Sequence, residues 1–281
     1  MKRFLLATCK LVLRTFFLLA VALLLFQCKM IYHPRGYDAA MVSKTLAEPL
    51  GYATPQGRQV AWVLPTTGQR PASGSEPVWL VFYGNGGVAL DFTSYFAPVQ
   101  LKGERVVLFD YPGYGQSEGR PSPQTIRESI RALMPALAAK LGTTPEALRP
   151  RLRVWGQSLG CAAALIAMEE LGIDRGVLIA PFTTMMTMAR RTVGWPLCEL
   201  LHHRFDNVAE LEKLRARGGV RLKVFHGTDD EVIPFAIGQD LARQFPDLIT
   251  FEALPQGHHN DIVMTERVRL FEAMASMNTL K

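Results

Sequence analysis

A serine flanked by two glycines carries the clearest chemical signal in the chain. The pentapeptide Gly156-Gln157-Ser158-Leu159-Gly160 follows a short apolar run and precedes a segment of small and apolar residues. This order is typical of a strand, a sharp turn and a helix, with the serine at the turn in a strained backbone conformation. Both glycines are needed because a Cβ at either position would collide with the neighbouring strand or helix. The pattern therefore predicts that Ser158 stands exposed above the edge of a sheet, where it can act as a nucleophile.

A nucleophilic serine needs a base that accepts its proton and an acid that orients the base. Two later loops carry candidates, because Asp229-Asp230 follows one apolar run and His258-His259 follows the next. A neutral imidazole would take the proton of Ser158 during attack, and an aspartate would fix the imidazole tautomer and stabilise the imidazolium. The spacing alone leaves open which aspartate and which histidine take part.

Several motifs lie in order between about residues 50 and 265. They are Tyr83-Gly84-Asn85-Gly86-Gly87, the segment from Asp110 to Gly119, the pentapeptide around Ser158, Arg204-Phe205-Asp206-Asn207, and the two loops with the aspartate and histidine pairs. With the chain order serine, aspartate, histidine, this set resembles the α/β-hydrolase family, in particular its membrane-anchored members with an abhydrolase domain. The resemblance implies that Asp230, which precedes Glu-Val-Ile-Pro, is the orienting acid. It also implies that His259, which precedes Asn-Asp, is the base.

A serine hydrolase also needs hydrogen-bond donors for the oxyanion that forms on its substrate. The N–H of Leu159 is one candidate, because it lies beside the nucleophile at the start of the expected helix, where amides lack helical partners. The resemblance implies that the N–H of Asn85 is the second donor. Related sequences usually carry histidine where this chain has Tyr83, so we expect the local hydrogen bonds and the acyl pocket to differ here. Tyr83, Gly84 and, further along the chain, Trp195 are the predicted substrate contacts.

The elements that must position these residues alternate between strands and helices. Helical periodicity is clearest after Ser122, a predicted cap, and Pro123, the first helical position, with apolar residues through Leu137. Such alternation predicts a mostly parallel sheet with helices on both faces, and the resemblance implies the eight-stranded sheet of the α/β-hydrolase fold. The predicted strands are Gln59 to Leu64, after a turn at Thr54 to Gly57, then Val78 to Phe82, Arg105 to Phe109, Leu152 to Trp155, Gly176 to Ala180, Val220 to Phe225 and Ile249 to Leu254.

A cap insertion is expected at about residues 181–214. The segment is too short for a large cap domain, so we expect a fairly open cleft. Met185, Met186 and Met188 with Trp195 form a soft apolar patch within it. A lid that binds acyl chains and the packing of a short helix explain this patch equally well, since methionine fills gaps as readily as it binds flexible ligands.

The first 35 residues predict a membrane anchor ahead of a hydrolase domain at residues 36–281. Leu11 to Phe26 is apolar apart from Arg14 and Thr15, and extension to Met30 gives the roughly 20 residues that span a bilayer. Four positive charges up to and including Arg14, against two after the apolar stretch, favour a cytoplasmic N-terminus and an exported domain. A signal peptide cleaved near Ala20-Val21-Ala22 would instead release a secreted domain, and a helix packed on the domain is the third interpretation.

The net charge of +6 originates in the N-terminus, where six positive charges and no acid occur in the first 35 residues. The rest of the chain has 25 basic and 25 acidic side chains, so nucleic-acid binding is not indicated. The adjacent His202 and His203 lack a partner at ligand spacing, and we predict neither a metal site nor a cofactor. Cys161 is interpreted as a small core residue, and at most one disulfide, with Cys198, is available to the domain.

These observations predict a serine hydrolase that cleaves ester or thioester bonds through an acyl-enzyme on Ser158. A membrane anchor beside an open cleft favours a lipid or acylated substrate, and the resemblance to protein depalmitoylases of the same group supports this by analogy. An amidase or peptidase of the same fold is the enzymatic alternative. A non-catalytic, membrane-anchored binding module is the alternative from another class, and the intact set of Ser158, Asp230 and His259 argues against it.

Overall fold

Eight strands form one mixed sheet in the computed structural model, which describes residues 1–66, 76–101 and 103–279. The strands are β1 (Glu48–Thr54), β2 (Gly57–Val63), β3 (Val78–Phe82), β4 (Arg105–Phe109), β5 (Leu152–Gln157), β6 (Arg175–Ile179), β7 (Arg221–Gly227) and β8 (Ile249–Leu254). Their order across the sheet is β1-β2-β4-β3-β5-β6-β7-β8. The β1-β2 hairpin and the β2-β4 pair are antiparallel, and all other neighbours are parallel. The predicted eight-stranded, mostly parallel sheet is confirmed.

Helices cover both faces of this sheet, and every residue of the central strand β3 is therefore buried. The helices are α1 (Lys2–Ile31), α2 (Ala39–Lys44), α3 (Ala97–Leu101), α4 (Pro123–Lys140), α5 (Pro145–Leu148), α6 (Leu159–Leu171), α7 (Met185–Val193), α8 (Asn207–Arg217), α9 (Phe235–Gln244), α10 (Ile262–Thr265) and α11 (Arg267–Thr279). Short 3₁₀ turns occur at Ala89–Phe92, Arg149–Arg151 and Leu197–Leu200.

The strands that carry the site begin and end near their predicted limits. The bounds of β3, β4 and β8 are those that the apolar runs predict. By contrast, β5 and β7 each continue two residues further, to Gln157 and Gly227. These extensions place Ser158 and the Asp229-Asp230 loop directly at the carboxyl edge of the sheet, where ligands of such sheets bind.

Two helices behind the site follow from local sequence signals. Helix α4 begins as predicted, because the Ser122 side chain accepts a hydrogen bond from the Thr125 N–H (3.0 Å) and Pro123 occupies the first helical position. Helix α6 is rich in alanine and almost wholly buried, which allows it to pack closely against β5. Cys161 in its first turn is fully buried, and its Sγ donates to the carbonyl of Gly156 (3.3 Å), which confirms its interpretation as a core residue.

The cap insertion is shorter than predicted. After β6 the chain forms α7 and the 3₁₀ turn at Leu197–Leu200, and an isolated bridge between Thr184 and Asp206 closes the excursion. Helix α8 then packs against α6 and belongs to the layer that covers the sheet. The insertion therefore spans about residues 181–206 instead of 181–214, because the second part of the expected segment is the crossover helix to β7.

Helix α1 extends away from the sheet. Its residues Arg3–Ile31 form a helix that is long and apolar enough to cross a membrane, and most of their side chains are exposed to the surroundings. The last two turns differ, since Gln27 and Ile31 are buried against the domain. Only the end of the helix thus fits the interpretation of a helix packed on the domain.

Candidate active site

Ser158 occupies the turn between β5 and α6 in a conformation that non-glycine residues rarely adopt. Its φ of 54° and ψ of −120° give it the strained backbone that the pattern predicts. A Cβ on Gly156 would lie 2.7 Å from the carbonyl oxygen of Gly160, and a Cβ on Gly160 would overlap the carbonyl oxygen of Phe82 in β3. Both glycines are therefore needed for α6 to pack this close to β5 and β3. The Ser158 N–H donates to the Ile179 carbonyl (2.9 Å), which holds the turn against β6.

Three side chains from the ends of β5, β7 and β8 form one chain of hydrogen bonds. His259 Nε2 lies 3.0 Å from Ser158 Oγ, and His259 Nδ1 lies 2.7 Å from Asp230 Oδ2. Because a carboxylate can only accept, Nδ1 donates to Asp230, and Nε2 of the neutral ring is left to accept the hydroxyl proton of Ser158. The structure thus brings together Ser158, Asp230 and His259. The neighbouring Asp229 and His258 are exposed.

Asp230 is surrounded by hydrogen-bond donors. Its Oδ1 accepts from the N–H groups of Val232 (2.9 Å) and Ile233 (2.7 Å), and its Oδ2 lies 3.3 Å from Nε2 of the buried His226. Burial alone would raise its pKa, but the hydrogen bonds from His226, His259 and Ile233 outweigh burial and hold the pKa of Asp230 well below its usual range. An ionised Asp230 can stabilise an imidazolium at His259. His226 therefore supports the aspartate loop.

Two backbone N–H groups beside Ser158 are free to bind an oxyanion. Within the described part of the chain, neither the N–H of Leu159 nor that of Asn85 donates a hydrogen bond. The loop that carries Asn85 passes so near the nucleophile that a Cβ on Gly84 would lie 3.7 Å from the Cβ of Ser158. The Asn85 carbonyl accepts from the Tyr114 hydroxyl (2.8 Å), which fixes this loop. The two predicted donors are thus available beside the nucleophile.

The buried carboxylate of Asp110 fixes the loop that follows β3. Asp110 accepts hydrogen bonds from the Tyr83 hydroxyl (2.7 Å), the Tyr37 hydroxyl, the Trp62 indole N–H (3.1 Å) and the Ala89 N–H (3.0 Å). Burial raises the pKa of Asp110, although these donors act in the opposite direction. The Tyr83 side chain is fully buried, so it supports the loop, and its burial gives the predicted contact with substrate no support.

Two cavities meet at Ser158 and Asn85, which line both of them. The polar cavity, of about 390 Å³, is bounded by the glycine loop after β3 and by His259 and Asn260. The apolar cavity, of about 230 Å³, is bounded by Phe182, by side chains of α7 and of the 3₁₀ turn Leu197–Leu200, and by the last turns of α1. Ser158 therefore lies between a polar space beside the histidine and an apolar space beneath the cap.

Residues 80–259 match a family model described as "Alpha/beta hydrolase family". The match runs from β3 to His259 and includes every residue of the hydrogen-bonded chain just described. The chain belongs to the α/β-hydrolase family.

Relatives of this α/β-hydrolase occur in bacteria and animals. A Mycobacterium tuberculosis protein described as uncharacterized is 27% identical over 257 residues, which cover 87% of this chain and 86% of the relative. Alpha/beta hydrolase domain-containing protein 17B of Xenopus laevis is 27% identical over 60% of this chain and 57% of its own length. The protein aho-3 of Caenorhabditis elegans, also described as alpha/beta hydrolase domain-containing, is 28% identical over 59% of this chain and 48% of its own length. The matched region thus spans about half the length of the two animal relatives.

Solved structures share the fold of the α/β-hydrolase. An esterase of Pyrococcus furiosus superimposes with a TM-score of 0.65 at 14% identity, over 88% of this chain and 98% of the esterase. An alpha-beta hydrolase from Vibrio vulnificus gives a TM-score of 0.68 at 17% identity, over 88% and 92% of the two chains. A serine hydrolase without lid from Xanthomonas campestris gives 0.58 at 16% identity, over 86% and 97%. At such identities the likeness shows the fold.

The structure distinguishes among the predicted substrate contacts of the α/β-hydrolase. Gly84 borders the polar cavity, as expected. Trp195 lines neither cavity, because it lies in the turn after α7 with 76% of its surface exposed, and the cavities give its predicted contact with substrate no support. Met185 and Met188 border the apolar cavity, whereas Met186 does not.

Sequence reasoning missed the part of the apolar cavity that α1 provides. The cavity is bordered by four residues of this helix, Leu23, Gln27, Met30 and Ile31. The apolar ones gave no signal in the sequence, because a membrane span also requires apolar side chains at these positions. Gln27 is the one residue with a signal that could have revealed the contact. A polar side chain within an apolar helix needs a hydrogen-bond partner, and here the partner belongs to the cap.

Proposed function

We propose that this chain is a membrane-anchored serine hydrolase that cleaves fatty-acyl esters or thioesters through an acyl-enzyme on Ser158. The observation that carries the proposal is the position of Ser158, 3.0 Å from His259 and at the junction of an apolar and a polar cavity. A nucleophile at such a junction can hold an acyl chain on one side while the leaving group departs on the other.

The hydrogen bonds suggest the following acylation step. Ser158 Oγ attacks the carbonyl carbon of the substrate while His259 Nε2 takes the hydroxyl proton, and Asp230 stabilises the imidazolium that forms. The negative charge that develops on the carbonyl oxygen is stabilised by the N–H groups of Leu159 and Asn85. The tetrahedral intermediate then expels the alcohol or thiol, which receives the proton from His259. Water attacks the acyl-enzyme by the same route, with His259 as base, and frees Ser158.

The two cavities divide the substrate between them. His259 borders the polar cavity and not the apolar one, so a leaving group that accepts its proton departs through the polar cavity. The acyl chain is thereby directed into the apolar cavity, where Met185, Met188 and Phe182 provide contact. The esterases among the structural relatives carry the same fold, which is consistent with this assignment.

A fluorophosphonate probe tests the nucleophile directly. Full-length protein in detergent is expected to label, whereas Ser158→Ala and His259→Ala are expected not to label. Ser43→Ala is the matched control, because Ser43 is exposed on the short helix α2 and lies outside the site. Absence of labelling in the wild type would refute the hydrolase and favour a non-catalytic binding module.

The type of bond that is cleaved is tested with one acyl chain joined through three different linkages. Octanoyl ester, octanoyl thioester and octanoyl amide with matched leaving groups are compared by kcat/KM. We expect turnover of the ester or thioester, and a clear preference for the amide would replace the proposal with an amidase.

In intact cells, protease digestion of the domain from the outside would support its export, whereas protection would place the domain on the cytoplasmic side.

A further inference from the structure

The last turns of α1 take part in the apolar cavity. Leu23, Gln27, Met30 and Ile31 face the cavity from one side, and Met185, Met188 and Ala189 of α7 face it from another. Residues of α1 are thus in the same lining as Ser158 and Leu159. The helix that passes the length and composition test for a membrane span is therefore also a boundary of the space beside the nucleophile.

A specific polar contact fixes α1 at this boundary. Gln27 is 7% exposed, and its side chain donates from Nε2 to the Leu200 carbonyl (3.2 Å) and accepts at Oε1 from the His202 N–H (2.7 Å). Two hydrogen bonds to backbone groups of the cap orient the helix more strictly than apolar contact does, because a buried amide requires partners at defined positions. The helix and the cap are thereby held together around the cavity.

The chain just after α1 is joined to the oxyanion loop. The Ile31 carbonyl accepts from the Asn85 side-chain amide (3.1 Å), and the His33 N–H donates to the Asn85 carbonyl (3.3 Å). Arg35 Nε donates to the Gly86 carbonyl (3.3 Å) two residues further on. The end of the anchor is therefore positioned against the loop that carries the second proposed oxyanion donor.

We propose that the C-terminal end of α1 forms one wall of the acyl-binding site and that its side chains set the acyl-chain length this enzyme accepts. The occupant of the apolar cavity is the fatty-acyl chain of the substrate, so this inference rests on the proposed function. In this arrangement Leu23 is a specificity-determining residue, because it contributes bulk to the lining of the cavity. Gln27 is a positioning residue, which acts through the cap.

Substitutions at Leu23 test the wall by changing its bulk in both directions. In full-length protein, we compare p-nitrophenyl acetate, p-nitrophenyl octanoate and p-nitrophenyl esters of longer acyl chains, and normalise each rate to active sites titrated with the fluorophosphonate. Leu23→Trp fills the cavity and is expected to lower the octanoate-to-acetate ratio of kcat/KM about tenfold, an effect typical of steric exclusion from an apolar site. Leu23→Ala enlarges the cavity and is expected to shift the preferred chain towards longer esters. The matched control is Leu25→Trp, because Leu25 lies two residues away with 69% of its surface exposed.

The outcomes separate the wall from the catalytic proposal. If the wild type neither labels nor turns over esters, the proposed function is refuted. If the wild type is active and both Leu23 variants keep its chain-length profile, the wall is refuted and the hydrolase stands. If Leu23→Trp shifts the profile no more than Leu25→Trp does, the effect belongs to the anchor in general and the inference fails. Should Leu23→Trp give no titratable sites, the direction of the shift in Leu23→Ala decides alone.

Discussion

The polar cavity and the apolar cavity meet at one serine but are built from different parts of the chain. The polar cavity is bounded by loops that leave β3, β5 and β8, so its shape follows from the sheet and from backbone groups close to it. The apolar cavity is bounded mostly by side chains from α1, α7 and the turn that follows α7, which lie outside the sheet. Under the proposed function this difference separates two tasks, because bond cleavage would depend on rigid strand ends and substrate choice on the added segments.

A change at the strand ends is expected to affect all substrates alike. Asp230→Asn keeps the shape of the side chain but permits the wrong imidazole tautomer at His259, and we expect kcat to fall about 10⁴-fold. Because the acyl site is untouched, the octanoate-to-acetate ratio should stay at its wild-type value. Steady-state kinetics with both esters measures this. A ratio that changes with Asp230→Asn would show that the two sides of Ser158 are not independent.

A change beneath the oxyanion loop is expected to affect stability first. Each carboxylate oxygen of Asp110 accepts hydrogen bonds from two donors. In Asp110→Asn an NH₂ group, which can only donate, replaces one of these oxygens and faces its two donors. A tyrosine hydroxyl can turn to accept, but the Trp62 or Ala89 N–H then stays buried without a partner, which costs about 1–3 kcal/mol. We expect a lower Tm of the full-length protein in detergent. Tyr83→Phe is the milder comparison, since it removes one donor and leaves no orphaned N–H, and an equal loss in both variants would contradict this account.

A change on the cap side is expected to depend on the acyl chain. Met188→Ala removes contact area from the apolar cavity, and we expect the kcat/KM for octanoate to fall about threefold to tenfold while the value for acetate changes less. Met186→Ala is the matched control, because Met186 lies on the same helix and does not border the cavity. If both methionine variants behave alike, the apolar cavity does not hold the acyl chain.

The smallest expected effect is a pH dependence of stability. Because the pKa of Asp230 in the folded state lies below its unfolded value of about 3.9, its ionised form contributes stability above that pH. This contribution is lost as the pH falls towards the folded-state pKa. The difference in Tm between wild type and Asp230→Asn should therefore shrink from about pH 5 downward. A difference that does not vary with pH would contradict the lowered pKa.

The sequence predicts the sheet side of the site far better than the cap side. Apolar runs give the bounds of β3 and β4, and the glycines around Ser158 predict the turn because only that packing requires them. Family resemblance favours Asp230 and His259 over their neighbours, and the distances from His259 to Asp230 and to Ser158 agree with it.

The cap side depends on contacts between segments that are distant in sequence. Nothing local indicates that Trp195 is exposed or that Leu23 and Ser158 line the same cavity, because both depend on how α7 and α1 pack. The sequence does not indicate where the cap ends, since α8 has the same amphipathic character whether it covers the sheet or extends a lid. Tertiary packing decides such cases, and the sequence pattern does not.

The positive φ of Ser158 makes activity and fold compete at a single position. An L-residue in such a conformation costs on the order of 1–3 kcal/mol, whereas glycine adopts it freely. We therefore expect Ser158→Gly to unfold at a higher temperature than Ser158→Ala, although neither variant hydrolyses esters, and a lower Tm for the glycine variant would disprove it. Under the proposed function, a gene copy released from selection for hydrolysis would thus gain stability by losing its nucleophile, and its inactive descendants are expected to persist as well-folded proteins.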